Sequence, residues 1–537
     1  MNYKAPIALS RVPIHRHRYF VLFILWLALT LLNLNKAFHI DDTFHLKAAA
    51  WIGLHPFFPM SGMINWDNVP EPLYNFNQPP LFFYLIAGFT KLLGTGEIPL
   101  HLFLSVFTFL ALLSFQKIAE LLQLKNTNFL LFLLAFNPAF LVNQNLMTDV
   151  PVLSITLGFT YFILKAGTSN ARGNYALAAV LLGAGLLIKY SLLPLLIVLL
   201  IITLIRQHYK YAAVTLIPCV MLIIWSAWNY QEYGAIHLLD RPRDPFQIKH
   251  LWDFINCLGA ISVFSIPLVY GLFPSRLLRT GIVSIVFIWL LLMGYVLVHK
   301  NVQELYANYL ILAFTVNGCL IIGSLLLLLS RWVKKITLKQ AITSNYFVIF
   351  LTAVALSSFL ILLAPFMATR HLLLVIPFLL ILGSDLIRKT EGLIFQISFV
   401  LTLFFGLLLG ISDWYYADYY RNMAAKLPQA KNGTMWYAGH WGWQWYAEKN
   451  GMKQYTIQEK ALKNGDYLAY PGDISIQSIN KSELQLIEKK WEKASPFNWF
   501  SVSFASLYSS GIDKAVWKLS SQPLDTVYLY RVVKTTP

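Results

Sequence analysis

The chain has 537 residues, of which 57% are hydrophobic and only 12% charged, with a formal net charge of +17. Soluble domains carry about 25% charged residues, so this composition excludes a soluble globular protein and indicates a membrane protein. The positive charge does not indicate nucleic-acid binding, because short cytoplasmic loops of membrane proteins collect lysine and arginine. The three cysteines lie in or beside apolar segments and predict no disulfide framework.

Apolar runs recur along the first 411 residues at lengths that approach the roughly 20 residues needed to cross a bilayer. The first follows four basic residues and lacks a small-residue cleavage site, which predicts an uncleaved signal anchor with a cytoplasmic N-terminus. Basic residues then fall in every inside loop, as the positive-inside rule requires. We expect about thirteen spans, near 19–35, 98–116, 128–145, 147–165, 175–189, 191–206, 211–228, 258–273, 280–298, 306–329, 345–364, 371–387 and 394–411.

One apolar segment, Pro79 to Gly94, is left out of this set. It has about 16 residues, opens with two prolines and carries Lys91. Counting it as a span would place the basic loops outside. Its length therefore favours an interfacial or re-entrant helix on the outer face, within a first outer loop covering 36–97.

The composition changes after residue 411, and residues 412–537 predict a small α/β domain on the periplasmic side. Strands are expected at Thr434–Ala438, Tyr467–Tyr470 and Thr526–Val533, and a helix at Lys481–Ala494, which has helical spacing. The tryptophan-rich run 437–446 favours a domain core over a glycan-contacting surface.

Adjacent carboxylates, Asp41 and Asp42, stand where the first span ends. One reading is structural, with Asp42 capping the following helix. The other reading is chemical, because a carboxylate can accept the proton of an attacking hydroxyl as a general base.

A resemblance joins these residues to others in chain order. The acidic pair precedes Asn77-Gln78-Pro79-Pro80-Leu81 and Met147-Thr148-Asp149-Val150-Pro151, and then come Leu182-Gly183-Ala184-Gly185 ending in Lys189, and Arg370-His371-Leu372. Over residues 19–411 this order resembles the protein O-mannosyltransferase-like and lipid A aminoarabinose transferase-like membrane glycosyltransferases of GT-C fold. The expected fold class is therefore an α-helical polytopic membrane protein with a small C-terminal α/β domain.

The resemblance implies roles for single residues. Asp41 corresponds to the base, Asp42 to its acidic neighbour and Asp149 to a second carboxylate. Lys189 and Arg370, with His371, are expected to bind the phosphate of a lipid-linked donor, whose negative charge grows as the glycosidic bond breaks. His45 and Gln78 are further substrate-binding candidates. The family usually has glutamate as the second acid and an aromatic residue in place of His45.

The cofactor question stays open in the sequence. Asp41 and Asp149 could hold a hard divalent metal through oxygen ligands, whereas no His/Cys spacing indicates zinc.

The expected activity is transfer of a hexosyl or pentosyl group from polyprenyl phosphate to an acceptor glycan, lipid or protein, at the periplasmic face of a bacterial inner membrane. The partners are that donor, the acceptor and membrane lipids, and no nucleic acid is expected. Two alternatives are a transporter or flippase of a lipid-linked or anionic solute and a non-catalytic scaffold of glycan assembly. The sugar and the oligomeric state are not specified by the sequence.

Overall fold

The computed structural model describes residues 15–241, 246–335, 337–427, 433–457, 462–501, 507–508 and 514–533, without the side chains of 15–18 and Ser501. Most of these residues are helical. The α-helices are α1 His15–Asn33, α2 Asp42–Leu54, α3 Leu81–Leu93, α4 Glu97–Leu121, α5 Thr127–Ala135, α6 Pro138–Val142, α7 Asp149–Ala166, α8 Ala171–Leu186, α9 Pro194–Ile205, α10 Tyr209–Ala212, α11 Leu216–Tyr233, α12 Ile248–Ile261, α13 Ser265–Leu272, α14 Arg276–Val298, α15 Gln303–Val333, α16 Leu338–Thr343, α17 Asn345–Leu363, α18 Ile376–Leu382, α19 Ser384–Arg388, α20 Gly392–Lys426 and α21 Trp441–Lys449.

Seven helical segments in the described ranges are long and apolar enough to cross a membrane, and an eighth is added if one bent helix pair forms a single span. The chain is therefore a multi-pass membrane protein. The expected number of thirteen stays a prediction, because several of the predicted spans are short or broken helices. Helix α3 has 13 residues and is shorter than a span, as expected for Pro79 to Gly94.

The predicted span 258–273 is wrong as a single helix. Helices α12 and α13 meet there at an angle of 93°. Ser262, with φ −120° and ψ 87°, leaves the helical conformation, and Pro267 in the next turn cannot donate a backbone hydrogen bond. The side-chain amide of Asn317 donates to the carbonyls of Gly259 and Ser262 at 2.7 and 3.1 Å, so the break does not leave them unpaired.

The predicted spans 371–387 and 128–145 are also interrupted. The first consists of a 3-10 turn, Thr369–Leu374, followed by α18 and α19. The second consists of α5 and α6, with a break at Asn137–Pro138. Proline lies in the first turn of α6 and of α18, where its missing N–H costs nothing.

The C-terminal region contains a five-stranded mixed sheet with the order β4-β3-β5-β9-β6. Strand β3 is parallel to β4 and β5, and β9 is antiparallel to β5 and β6. A hairpin in the first outer loop, β1–β2, and a short pair, β7–β8, lie outside this sheet. The strands are β1 Met63–Asn65, β2 Pro70–Pro72, β3 Met435–Tyr437, β4 Lys453–Gln454, β5 Tyr467–Pro471, β6 Leu484–Lys490, β7 Phe500–Ser501, β8 Lys518–Leu519 and β9 Val527–Val532.

The three predicted strands of this domain are confirmed, whereas the predicted helix 481–494 is wrong. A 3-10 turn at Lys481–Glu483 leads into the edge strand β6, which pairs with β9. An irregularity between Leu486 and Glu488 interrupts the two-residue alternation, which explains why the pattern resembles helical spacing. The predicted fold class, polytopic and helical with a C-terminal α/β domain, is confirmed.

The C-terminal region packs directly on the membrane helices. Helix α20 runs without a break through the predicted boundary at 411/412 to Lys426. Helix α21 lies against the first outer loop, where a Cβ on Gly442 would come within 2.4 Å of the Phe38 carbonyl oxygen. Buried residues of both regions, such as Phe38 and Trp443, belong to one continuous core. The tryptophan-rich run therefore contributes to packing, as its composition favoured.

Candidate active site

An ion pair joins the first outer loop to the segment before α18. Asp41 precedes α2, and Arg370 lies in the 3-10 turn Thr369–Leu374. Arg370 Nη1 donates to Asp41 Oδ2 at 2.8 Å. The two residues are 329 positions apart in sequence and line the same cavity.

A second carboxylate extends this pair. Asp149 begins α7, and Lys189 follows the end of α8. Lys189 Nζ donates to Asp149 Oδ1 at 2.7 Å, and Arg370 Nε lies 4.0 Å from Asp149 Oδ2. Asp41, Arg370, Asp149 and Lys189 therefore form a continuous chain of alternating charge, hereafter the cavity cluster.

Two buried nitrogen atoms at this site have no hydrogen-bond partner among the described residues. They are Nε of Arg370, which carries a proton to donate, and Nδ1 of the neighbouring His371. Each of the two residues is 8% exposed. A buried donor without an acceptor costs about 1–3 kcal/mol, so this part of the cavity is suited to an anion.

The cavity itself has a volume of about 360 Å³. Its charged and titratable lining consists of Asp41, Lys189, Arg241, Arg370 and His371. Two further groups of side chains line it: the aromatic and amide residues Phe44, Trp66, Phe76, Asn77 and Gln78, and the apolar residues Phe359, Leu360, Leu363, Ala364, Phe366 and Leu374. The site thus combines charged groups with an apolar wall on α17, a membrane helix.

Asp42 does not line the cavity, although it adjoins Asp41. It is fully buried, and its Oδ2 accepts the backbone N–H of His39 at 2.8 Å. Burial raises the pKa of Asp42 to about 8, and burial also lowers the pKa of His39 well below its usual value.

Behind Asp42 lies a group of buried polar residues, hereafter the sealed cluster: Lys36, His39, Asp42, Asp413 and Tyr508. Lys36 Nζ pairs with Asp413 Oδ2 and donates to the Val142 carbonyl at 3.0 Å. Tyr508 donates its hydroxyl proton to Asp413 Oδ2 at 2.8 Å. The side chains of Lys36 and Asp413 are both 0% exposed, so the pair is shielded from solvent.

His45 is also buried and does not line the cavity, whereas Gln78 does. His45 Nε2 and Gln78 Oε1 form a hydrogen bond. Burial lowers the pKa of His45, so a neutral imidazole donates to the Gln78 amide oxygen. His45 thereby orients the amide that faces the cavity.

The two predicted metal ligands, Asp41 and Asp149, contact a common cationic side chain. Within the described ranges, no group of three or more His, Cys, Asp or Glu side chains converges on a point that could hold a metal ion. Asp41 and Asp149 are instead linked through Arg370. A cation already occupies the position between the two predicted ligands.

Sequence reasoning missed several residues. Arg241 lines the cavity, and its guanidinium donates to the Phe76 and Tyr74 carbonyls at 2.6 and 2.7 Å. Lys36 and Asp413 carried a signal, because isolated charges beside apolar spans require a partner. Nothing in the local pattern identifies Tyr508.

Part of the sequence that forms this site matches a known protein family. Residues 77–228 match the family model of dolichyl-phosphate-mannose-protein mannosyltransferases. The matched segment includes Gln78, Asp149 and Lys189. The match to this glycosyltransferase family confirms the family resemblance predicted from the sequence, within the matched residues. No curated protein matches the chain by sequence.

Solved structures of three membrane proteins show weak similarity. The Pmt1–Pmt2 protein O-mannosyltransferase complex from S. cerevisiae, bound to its sugar donor, is 12% identical over 42% of this chain and 34% of its own, with a TM-score of 0.32. ArnT from Cupriavidus metallidurans, bound to undecaprenyl phosphate, is 15% identical over 86% of this chain and 93% of its own, with a TM-score of 0.38. The oligosaccharyltransferase AglB from Archaeoglobus fulgidus, in complex with an inhibitory peptide and a dolichol-phosphate, is 12% identical over 84% and 61%, with a TM-score of 0.45.

Proposed function

We propose that the protein transfers a monosaccharide from a polyprenyl-phosphate donor to an acceptor hydroxyl on a glycan, lipid or protein. The observation that carries this proposal is the convergence of Lys189, Arg370 and His371 in a cavity that also contains a carboxylate, Asp41. The family model supports the donor class, because it describes enzymes that use a sugar on a lipid phosphate.

In the proposed reaction, the acceptor oxygen attacks the anomeric carbon while Asp41 accepts the hydroxyl proton. The bond between the anomeric carbon and the phosphate oxygen breaks, and polyprenyl phosphate leaves with the bonding electrons. Fixed cations stabilise this growing negative charge strongly in a site shielded from water. Arg370 and Lys189 supply the cations, and His371 Nδ1 offers a further contact when it carries a proton.

The donor phosphate would also reorganise the ion pairs. Arg370 now shares its charge between Asp41 at 2.8 Å and Asp149 at 4.0 Å. A phosphate oxygen that binds Arg370 competes with Asp41 for the guanidinium. Asp41 thereby becomes available to an acceptor hydroxyl only when the donor is in place.

The apolar wall supports the lipid-linked nature of the donor. Phe359, Leu360 and Leu363 lie on α17 and line the cavity beside Arg370. A prenyl chain can therefore remain in the apolar phase while its phosphate reaches the cations. We place this cavity at the periplasmic face of a bacterial inner membrane, with the N-terminus of the chain in the cytoplasm, because the basic inside loops predicted from the sequence require that orientation.

The first test uses a deletion strain complemented with wild-type protein, with Asp41→Asn or with Asp67→Asn. Asp67 is an exposed carboxylate of the same outer loop and does not line the cavity. Mass spectrometry of lipids and glycans should show the accumulated polyprenyl-phosphate sugar in the deletion and Asp41→Asn strains. Asp67→Asn should restore the wild-type profile.

The second test separates transfer from transport. Purified protein in detergent is mixed with the lipid fraction of the deletion strain and an envelope extract that contains the acceptor. Release of free polyprenyl phosphate by the wild-type protein, and its loss in Asp41→Asn, supports transfer. Because detergent micelles have no separate compartments, a flippase would release none, and a scaffold would give equal profiles for wild type and Asp41→Asn.

A further inference from the structure

Two residues of the C-terminal region reach the three segments that carry Asp41, Asp149 and Arg370. These are Leu507 and Tyr508. Both are buried, at 0% and 2% exposure. Their contacts with the three segments are hydrogen bonds and one ring contact.

Leu507 holds the segment of Arg370. The backbone N–H and the hydroxyl of Thr369 both donate to the Leu507 carbonyl oxygen, at 3.3 and 2.7 Å. Thr369 is fully buried and directly precedes Arg370. The position of the guanidinium therefore depends on a carbonyl that lies 138 residues away in sequence.

Tyr508 holds the segment of Asp149. Asn145 Nδ2 donates to the Tyr508 hydroxyl oxygen at 2.6 Å. The carbonyl of Asn145 accepts the N–H of Met147, whose sulfur is 3.2 Å from Arg370 Nη1. Tyr508 thus holds Asn145, four residues before Asp149, in a turn that also contacts Arg370 through Met147.

Tyr508 also holds the segment of Asp41. Its hydroxyl donates to Asp413, the partner of Lys36, and its ring meets that of His39 edge-on with centroids 5.5 Å apart. Lys36 and His39 lie within five residues of Asp41 in the same loop. One phenol hydroxyl thus ties two of the three segments together.

We infer that Leu507 and Tyr508 position the phosphate-binding groups, so that the C-terminal region completes the site. This inference rests on the proposed donor site. Tyr508 is a positioning residue and does not line the cavity. Side chains that must be held within about 0.5 Å need such support, because small displacements weaken a preorganised charge cluster.

The experiment measures binding of undecaprenyl phosphate to the full-length protein in detergent, by native mass spectrometry. Tyr508→Phe removes only the hydroxyl and should raise Kd about tenfold. Tyr420→Phe is the matched control. Tyr420 is another buried tyrosine of this junction, and its hydroxyl donates to Asp525 at 3.0 Å, away from the cavity. It should change Kd less than twofold while lowering the unfolding temperature to a similar extent.

A second pair of variants keeps the test decisive if Tyr508→Phe does not fold. Thr369→Val removes one hydrogen bond to Leu507 and should also weaken binding about tenfold. Thr369→Ser keeps the hydroxyl and should bind as the wild type does.

The outcomes separate this inference from the proposed function. If the wild-type protein does not bind undecaprenyl phosphate, the proposed donor site is wrong. If the wild type binds and both Tyr508→Phe and Thr369→Val bind equally well, the donor site stands and the positioning role is overturned. Equal weakening in Tyr420→Phe would likewise overturn it, because the effect would then reflect general loss of stability.

Discussion

The two adjacent acids belong to different environments: Asp41 is part of the cavity cluster, and Asp42 is part of the sealed cluster. Each cluster contains a lysine paired with an aspartate, yet their surroundings differ. The side chain of Lys189 is 21% exposed and that of Lys36 is 0% exposed. The first group can exchange its partner for a ligand, whereas the second cannot.

This difference indicates why one loop carries two adjacent acids. A carboxylate that acts on a substrate must be reachable, and its partners must be replaceable. A carboxylate that fixes the loop must be shielded, because burial strengthens its hydrogen bonds and makes an unpaired partner costly. Asp41 has the first environment and Asp42 has the second.

The largest effect is expected for Asp41. Asp41→Asn should lower the rate of sugar transfer about 100- to 10,000-fold, the range typical of a lost general base. Asp42→Asn should stay within about tenfold of the wild type, since the substituted amide oxygen can still accept the His39 N–H. Release of polyprenyl phosphate by purified variants measures both. Equal losses in the two variants would contradict the distinction between the clusters.

Removal of a buried cation should affect folding more than binding. Lys36→Met leaves Asp413 without its ion-pair partner in a sealed site and should cost about 3–5 kcal/mol. Thermal unfolding in detergent, followed by circular dichroism, measures the change. Lys189→Met is the control and should lower the unfolding temperature less, because its site is open to water. A smaller shift for Lys36→Met than for Lys189→Met would refute this expectation.

Lys189→Met should instead weaken donor binding. A hydrogen bond to a charged group contributes about 1.5–3 kcal/mol, which corresponds to roughly 10- to 100-fold in Kd for undecaprenyl phosphate. Lys189→Arg keeps the charge and should lose less. If Lys189→Met bound the lipid phosphate as tightly as wild type, the cation would have no role in the donor site.

A further effect concerns pH. The pKa of Asp42 is raised to about 8 by burial, whereas the unfolded chain has a pKa near 4. Between these values the folded protein keeps a proton that the unfolded chain releases. This contribution to stability is therefore complete below about pH 4 and is lost as the pH rises towards 8, at up to about 1.4 kcal/mol per pH unit.

Asp42→Asn should remove that dependence. The difference in unfolding temperature between pH 5 and pH 8 should be smaller for Asp42→Asn than for the wild type. Asp67→Asn, at an exposed position, should keep the wild-type difference. Parallel pH curves for all three proteins would show that Asp42 titrates normally.

The sequence predicted the members of the cavity cluster but not the supports behind them. Asp41, Asp149, Lys189 and Arg370 stand at the ends of apolar runs, where a charge is conspicuous and the family motifs apply. Asp413 and Tyr508 lie 377 and 472 positions after Lys36 in the sequence. No local periodicity encodes contacts between residues so far apart. Only the isolated charges of Lys36 and Asp413 beside apolar runs indicated that partners were needed.

The errors in secondary structure have similarly local causes. Apolar runs predict burial but cannot distinguish one straight helix from two short ones, so the breaks in 258–273 and 371–387 were missed. In Leu484–Lys490 the irregular pairing with β9 shifts the alternation and mixes charged with apolar residues. Pairing with β9 makes this segment a strand, although its local sequence pattern favours a helix.

The corner between α12 and α13 has a mechanical consequence. At α12, the backbone of Gly259 lies so close to α15 that a Cβ would come within 1.7 Å of the Phe314 carbonyl oxygen, and Gly318 meets Ile255 in the same way. Asn317 also donates to the Gly259 and Ser262 carbonyls, so the α12 arm of the corner is held closely against α15. We therefore expect the junction of α12 and α13 to stay rigid when a substrate enters or leaves, and the accompanying motions to occur in less tightly packed parts of the chain.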